Sequence, residues 1–173
     1  MGIKKDEFLV GHVGRYHVQK NHEMIVAVFC ELLKTKPNAR LLLVGGSGKK
    51  EEIVRMISQA GITDKVIMLE NRADVPALMK AMDVFLFPSK WEGFGNVLIE
   101  AQSIGVRCVV SDKVPESVRL TELVTVCDLR EPLQVWVDAI LNKKNHVTPT
   151  GSLNDYDMKN CAKKLQKIYL EEE

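Results

Sequence analysis

Two glutamates, eight positions apart, flank a glycine-rich turn in the stretch PSKWEGFGNVLIEAQSIG, residues 88–105. Glu92 is followed directly by Gly-Phe-Gly, and Glu100 falls about one turn into the helix that the next residues predict. Glycines let a backbone come close to a ligand, and the unpaired N–H groups at a helix start suit a phosphate. A carboxylate one turn later can accept two hydrogen bonds from a ribose diol. The stretch therefore predicts a site for a ligand that carries both phosphate and hydroxyl groups.

Two cations bracket the turn that follows the first predicted strand, in the stretch VGRYHVQKNH, residues 13–22. Arg15 offers a planar fork to a phosphate, and Lys20 offers a point charge. Their spacing alone fits two solvated surface cations equally well. If Arg15 and Lys20 lie at the same edge of the fold as the two glutamates, they predict a pair of cations that binds a diphosphate.

Two other stretches resemble nucleotide or metal motifs but are incomplete or badly placed. The segment GGSGKK (45–50) fails the P-loop signature because Leu43 stands where glycine is needed and Lys50 where serine or threonine is needed. Asp155 and Asp157 form an Asp-x-Asp pair, which can hold a divalent metal under a nucleotide sugar. They enter the last predicted helix rather than follow a strand, so helix capping is the favoured interpretation.

The cysteines and histidines show no spacing that is typical of metal ligands. We expect the cysteines to be small buried side chains in a reducing compartment, and the histidines to be polar loop residues. The cysteines are Cys30, Cys108, Cys127 and Cys161, and the histidines are His12, His17, His22 and His146.

Composition excludes several classes of function. The chain has 173 residues, 46% of them hydrophobic, and a net charge of +1. Such a charge provides no electrostatic case for nucleic acid or an acidic membrane surface. No apolar run reaches the roughly 20 residues that a membrane span needs, and the start lacks the features of a signal peptide or of a myristoylation motif. We expect a cytoplasmic domain with a hydrophobic core of its own.

Short apolar runs alternate with amphipathic stretches along the chain. This order predicts an α/β fold, a Rossmann-like open parallel sheet with helices on both faces. Ligands bind such sheets at the carboxyl ends of the strands, near a switch point, which places the loops after residues 14, 46, 70 and 89 on one rim. Strands are predicted at 8–14, 39–46, 64–70, 83–89, 106–112 and 123–129, and helices at 21–37, 49–61, 73–82, 94–105, 131–144 and 156–173.

Taken together, these stretches resemble the retaining glycosyltransferases of family 4, which have the GT-B fold. The segment from Glu92 to Glu100 looks like the E-x7-E motif of that family, and the resemblance covers nearly the whole chain. Arg107 stands where the family often has proline, a small departure at a strand entry. The other similar segments are GRYHVQKNH (14–22), LLLVGGSG (41–48), VIMLENRADVPALMKAMDVFLFPS (66–89) and EAQSIGVRCVVSD (100–112).

The resemblance implies roles for the four charged residues. Arg15 and Lys20 would bind the diphosphate of a nucleotide sugar and stabilise it as the leaving group. Glu100 would hold the ribose hydroxyls, and Glu92 would contact the transferred sugar. The anomeric configuration would be retained without a metal or another cofactor.

The resemblance also implies a wider set of donor-binding residues. Backbone N–H groups of Phe94 and Gly95 would help to hold the sugar, and the base would rest near Asn71 and Arg72. The catalytic set is Glu92, Arg15 and Lys20, and the nucleotide-binding set is Gly14, Arg15, Lys20, Asn71, Arg72, Gly93, Phe94, Gly95, Asn96, Val97 and Glu100.

The N-terminal domain of that family, which supplies the acceptor pocket, has no counterpart here. We therefore expect residues 1–173 to be a single C-terminal, donor-binding domain that is inactive alone. UDP is the expected nucleotide, and a glycan or lipid-linked acceptor in polysaccharide biosynthesis would bind through the missing domain, at the inner face of a membrane in the full-length enzyme. The alternative is a module or subunit that binds a nucleotide or phosphate without catalysis.

Overall fold

The computed structural model describes residues 2–4 and 6–142 of the chain. Four features predicted from the sequence lie outside the described residues: the helix at 156–173, the pair Asp155 and Asp157, His146 and Cys161.

Strands and helices alternate through the described part of the chain, as the sequence predicts. Element ends differ from the predictions by only a few residues, since flanking residues form turns; for example, a 3₁₀ turn at Thr63–Lys65 delays the start of the third strand. The strands are β1 (Phe8–Val13), β2 (Ala39–Gly45), β3 (Val66–Glu70), β4 (Val84–Phe87), β5 (Cys108–Ser111) and β6 (Val124–Cys127), and the helices are α1 (His22–Thr35), α2 (Lys50–Gln59), α3 (Val75–Lys80), α4 (Asn96–Ser103) and α5 (Leu133–Leu141).

The six strands form one open sheet in the order β3-β2-β1-β4-β5-β6, and every neighbouring pair is parallel. Val10 in the centre of β1 pairs with Leu41 of β2 on one side and with Val84 of β4 on the other. The chain therefore winds outward from β1 in one direction and then returns to wind outward from β4 in the other. The boundary between β1 and β4 is the switch point, where parallel sheets open a crevice at their carboxyl ends.

The sheet is covered on both faces, and alternate residues of β4 show why. Val84 and Leu86 pack with α1, α2 and α5 on one face, whereas Phe85 and Phe87 pack with α3 and α4 on the other. Side chains of a strand point alternately to opposite faces, so a strand that is apolar throughout requires both faces to be covered. The prediction of a doubly covered Rossmann-like sheet is confirmed.

Two of the cysteines confirm the expectation of buried side chains. Cys108 and Cys127 are both buried at the ends of their strands, and burial raises the pKa of the Cys127 thiol to about 11. Burial raises the pKa of Cys108 further still. Cys30 is half-buried against the core.

A helix that crosses a membrane needs about 20 predominantly apolar residues. Among the helices of residues 2–4 and 6–142, none is long and apolar enough to cross a bilayer.

The loop after β1 stays pressed against the end of β2. The N–H of Gly14 donates to the carbonyl of Val44 at 2.9 Å, and the N–H of Lys49 donates to the carbonyl of Tyr16 at 2.8 Å. A Cβ at Gly45 would lie 2.4 Å from the carbonyl oxygen of Gly14, closer than van der Waals contact allows. Glycine at position 45 is therefore what allows the two backbones to approach.

We expect the substitution Gly45→Ala to lower the free energy of unfolding by about 1–3 kcal/mol, because the new methyl group must push two backbones apart. Gly93→Ala is the matched control, since a Cβ at Gly93 meets no atom within 4 Å among the described residues. It should change stability by less than about 1 kcal/mol. Urea denaturation of the three proteins makes the comparison, and equal stabilities of the two variants would contradict it.

Candidate functional site

Two loops meet above the switch point, one after β1 and one after β4. Their backbones are joined by a hydrogen bond from the N–H of Lys90 to the carbonyl of Gln19 at 2.8 Å. The side chain of Asn21 adds a second link, because its Nδ2 donates to the carbonyl of Pro88 at 3.0 Å. The site is thus assembled from segments about seventy residues apart in sequence, which only the pairing of β1 with β4 brings together.

A nearly buried ion pair lies at this junction. The Nζ atom of Lys20 is 2.6 Å from Oε1 of Glu92, and the two side chains are only 13% and 5% exposed. Lys20 also lies over the ring of Phe87, 4.7 Å from its centroid. The second carboxylate oxygen of Glu92 accepts a hydrogen bond from Nε2 of Gln19 at 3.2 Å. Charge-assisted contacts of this kind are the strong ones in a poorly solvated site.

An open cleft of about 430 Å³ extends from the ion pair to the start of α4. Glu100 lines this cleft from the exposed face of α4, and its carboxylate makes no hydrogen bond or ion pair with the described residues. The helix begins at Asn96, directly after Gly95, whose φ of 83° is in the left-handed region that glycine adopts readily. The unpaired N–H groups of the first turn carry partial positive charge. The cleft therefore combines a cation, hydrogen-bond acceptors and a helix N-terminus.

Seven of the residues predicted from the sequence border this one cleft, together with Val13 and Val75. They are Gly14, Lys20, Glu92, Gly95, Asn96, Val97 and Glu100.

The other predicted residues lie near the rim but do not line the cleft. Arg15 is exposed on the loop after β1. Arg72 makes a bidentate pair with Asp74, with contacts of 2.7 and 2.6 Å, and this pairing lowers the pKa of Asp74. Asn71 follows β3 with a φ of 51°, and its N–H donates to the carbonyl of Gly45. Gly93 and Phe94 are exposed in the loop before α4.

The histidines differ from expectation at two of the three described positions. His12 belongs to β1 and is fully buried, and His22 is buried at the start of α1, so the expectation of polar loop residues is wrong for both. Their rings meet edge to face with centroids 5.1 Å apart, and the ring of Tyr16 lies 5.6 Å from that of His22. The position of His12 inside the apolar run FLVGHVG was the available signal. His17 is an exposed loop residue, as expected.

Burial keeps both internal histidines neutral at pH 7. Desolvation is the main cause that lowers the pKa of His12 to about 3, with a smaller contribution from the charge of His22. Desolvation likewise lowers the pKa of His22 to about 4. Because Nδ1 of His12 is 2.9 Å from the carbonyl oxygen of Leu86, Nδ1 carries the ring proton. Lys20 is consequently free of competing positive charge from the two rings beneath it.

A metal site in a protein needs several histidine, cysteine or acidic ligands close together. Within residues 2–4 and 6–142, no group of three histidine, cysteine or acidic side chains is arranged to hold a metal ion.

Sequence comparison identifies relatives of known class. Residues 1–122 match the family model described as glycosyl transferases group 1. EpsF of Bacillus subtilis (strain 168), a protein provisionally named as a glycosyltransferase, is 31% identical over 97% of this chain and 46% of its own length. The Escherichia coli UDP-Gal:alpha-D-GlcNAc-diphosphoundecaprenol alpha-1,3-galactosyltransferase is 30% identical over 65% of this chain and 30% of its own. The chain thus spans less than half the length of these relatives.

Solved structures share the fold. WaaG, a glycosyltransferase involved in lipopolysaccharide biosynthesis, superposes with a TM-score of 0.73 at 24% identity, over 82% of this chain and 40% of WaaG. Anabaena HepE, solved with UDP and glucose, gives a TM-score of 0.67 at 26% identity, over 78% and 38%. The C-terminal domain of a group 1 glycosyl transferase, LpcC of Francisella tularensis, gives 0.65 at 21% identity, over 76% and 72%.

The pair of Lys20 and Glu92 should be strongly coupled in stability. Lys20→Met leaves the nearly buried carboxylate of Glu92 without a partner, which should lower the free energy of unfolding by about 3 kcal/mol. Adding Glu92→Gln removes this unpaired charge and should recover part of that loss. We expect a coupling of about 1–3 kcal/mol in a double-mutant cycle measured by urea denaturation. The control cycle uses Lys34 and Glu31, also 2.6 Å apart but with the lysine 70% exposed, where coupling should stay below about 0.5 kcal/mol. Equal couplings in the two cycles would refute the assignment of a buried pair.

The buried histidines should make stability depend on pH. Their pKa values of about 3 and about 4 lie below the unfolded value, so their contribution is complete above about pH 6.5 and is lost as the pH falls below it. Between pH 6.5 and 5 the loss should be about 1.5 kcal/mol for each histidine. Urea denaturation of His12→Gln, His22→Gln and the double variant should show this pH dependence weakening stepwise. An unchanged pH dependence in the double variant would rule the explanation out.

Proposed function

The chain belongs to the group 1 family of glycosyl transferases, and from this premise we propose that it is a donor-binding domain. In this proposal the cleft at the switch point holds a nucleotide sugar, with UDP as the nucleotide. The transferred hexose passes to a glycan or lipid-linked acceptor with retention of its anomeric configuration, as in glycosyltransferase family 4. The fold supports this assignment, because it matches the Rossmann-like sheet of GT-B glycosyltransferases.

One observation carries the proposal: Lys20, Glu92, Glu100 and the start of α4 border the same cleft at the switch point. Each group is complementary to one part of a nucleotide sugar. Lys20 and the helix N-terminus suit the diphosphate, and the two carboxylates suit hydroxyl groups. A single phosphate would leave the carboxylates unused, and a free sugar would leave the cation unused.

The two glutamates have different surroundings, and we assign them different roles. Glu100 is exposed, and within the described chain its carboxylate has no partner, so it is available to accept both hydroxyl groups of the ribose. Glu92 is already held on both carboxylate oxygens and lies deeper. It contacts hydroxyl groups of the transferred sugar, with help from the backbone N–H groups of Phe94 and Gly95.

The leaving group of the reaction is the nucleoside diphosphate, and its developing charge must be offset. Lys20 lies at the cleft for this role, and Arg15 reaches the diphosphate from the exposed loop after β1. Preorganised cations of this kind stabilise the departing charge in a poorly solvated site. Asn71 and Arg72, at the end of the neighbouring strand β3, provide the surface for the base. The proposal requires no metal or other cofactor.

The share of its relatives' length that this chain spans supports a role as one domain of a larger enzyme. The chain spans 46% of EpsF and 38% of HepE, and it matches most of a solved C-terminal domain of the same family. We propose that it is the C-terminal half, that an N-terminal half supplies the acceptor pocket, and that the domain turns over no substrate by itself. The Escherichia coli relative is named for an acceptor that is linked to diphosphoundecaprenol, a lipid carrier. Such a lipid-linked acceptor fits a role in polysaccharide biosynthesis at the inner face of a membrane.

Calorimetric titration with UDP, GDP and ADP tests the donor-binding proposal. We expect one nucleotide to bind and Glu100→Gln to weaken it by roughly 10- to 150-fold, because a lost hydrogen bond to a charged group costs about 1.5–3 kcal/mol. Glu51→Gln is the control, a glutamate in the first turn of α2 that does not line the cleft. Equal affinity of the Glu100 and Glu51 variants would reject the role of Glu100. Failure of all three nucleotides to bind at millimolar concentration would reject nucleotide binding by this chain.

A further inference from the structure

Gln19 contacts three consecutive residues of the loop after β4. Its backbone carbonyl accepts from the N–H of Lys90 at 2.8 Å. Its side-chain Nε2 donates to the carbonyl of Trp91 at 3.0 Å and to Oε2 of Glu92 at 3.2 Å. Both acceptors are oxygen atoms, so the NH₂ group of the amide must face them, and both of its protons are used.

These contacts hold the Glu92 carboxylate from two directions. Lys20 forms an ion pair with Oε1 of Glu92, and Gln19 donates a hydrogen bond to Oε2. Two adjacent residues of one 3₁₀ turn therefore contact the two carboxylate oxygens. An ion pair alone leaves a carboxylate free to rotate about its last bond, because a lysine is a point charge without a preferred plane. The second hydrogen bond fixes the plane of the carboxylate and therefore the direction of its remaining acceptor sites.

The turn that carries Gln19 is itself well held. The side chain of His17 accepts from the N–H of Gln19 at 3.3 Å, and the N–H of Lys20 donates to the carbonyl of His17 at 2.9 Å. Asn21 closes the turn with a φ of 56°, and its side chain is bonded to the carbonyl of Pro88. The position of Gln19 is thus held by its own turn and by contacts of that turn with the backbone of Pro88 and Lys90, in addition to its contact with Glu92.

We propose that Gln19 is a positioning residue, which orients the Glu92 carboxylate toward the sugar of the donor and so lets the site distinguish a nucleotide sugar from the bare nucleotide. The inference rests on the proposed function. It adds a residue that the glycine-rich turn, the two cations and the two glutamates did not indicate. Gln19 acts through Glu92 and need not touch the ligand.

The test compares UDP with UDP-glucose by calorimetry on the wild-type chain and on Gln19→Ala. The wild type should bind UDP-glucose more tightly than UDP. Gln19→Ala should lose about tenfold in affinity for UDP-glucose while keeping its affinity for UDP. A merely structural role would weaken both ligands, since the same loop leads into the helix that holds the diphosphate.

Two further variants sharpen the comparison. Gln19→Glu cannot donate to Trp91 or Glu92 and places two carboxylates in contact, so it should lose more affinity for UDP-glucose than the alanine variant. Gln134→Ala is the matched control, because it removes a glutamine that donates to Asp138 at 2.8 Å on the exposed face of helix α5. It should bind both ligands as the wild type does.

Each outcome of the titrations decides a different point. If Gln19→Ala keeps the wild-type preference for UDP-glucose, or if the wild type binds both ligands equally, the positioning role is refuted while nucleotide binding stands. If the wild type binds neither ligand, the proposed function fails for this chain. NMR then tests separately whether the side chain of Gln19 contacts Glu92. The side-chain amide signals of Gln19 should then be shifted from those of a solvated glutamine and should return toward them in Glu92→Gln. Signals that already match a solvated glutamine would refute the inference.

Discussion

The contact between Lys20 and Glu92 is the interaction on which the site depends. It joins the loop after β1 to the loop after β4 at the point where the strand order reverses. Both charges have lost most of their hydration, so each is stable only while the other is present. This mutual dependence makes the two loops one unit. A ligand that enters the cleft meets a carboxylate and a cation already held in place, and it need not organise them itself.

The layer beneath the ion pair limits which charges can be present there. His12 and His22 are buried polar rings in a position where a second and third cation would repel Lys20, yet desolvation holds both rings neutral. The stacked rings of Phe85 and Phe87 continue this low-polarity floor, and Lys20 lies over the second of them. An apolar floor strengthens electrostatic contacts above it, because less water is available to screen them. The lysine is therefore the one cation that the described residues direct into this part of the cleft.

One part of the rim of the cleft is cross-linked by hydrogen bonds, and another part is exposed to solvent. The turn from His17 to Asn21 and the segment from Pro88 to Glu92 are cross-linked by several hydrogen bonds. Arg15 and Glu100, in contrast, are exposed to solvent. In the proposed function, Glu92 of the cross-linked part contacts the transferred sugar, where small errors in position slow the reaction. In the same proposal, Glu100 meets the ribose, and Arg15 adds a second cation to the diphosphate that Lys20 already contacts.

The sequence by itself determined the fold class, the order of the elements and the identity of most groups at the cleft. The fold class and the order of the elements follow from apolar runs and helical periodicity, which act over a few residues. The cleft groups follow from the stretch between Glu92 and Glu100 and from the family resemblance that it supports. Tertiary structure alone decided which side chains touch. Gln19 was invisible as a site residue because its partners lie more than seventy positions away, and only the pairing of β1 with β4 brings them together. His12 and His22 were misjudged for a similar reason, since the burial of a polar ring depends on what packs over it. The pairing of Arg72 with Asp74 is likewise a contact that only the folded chain shows.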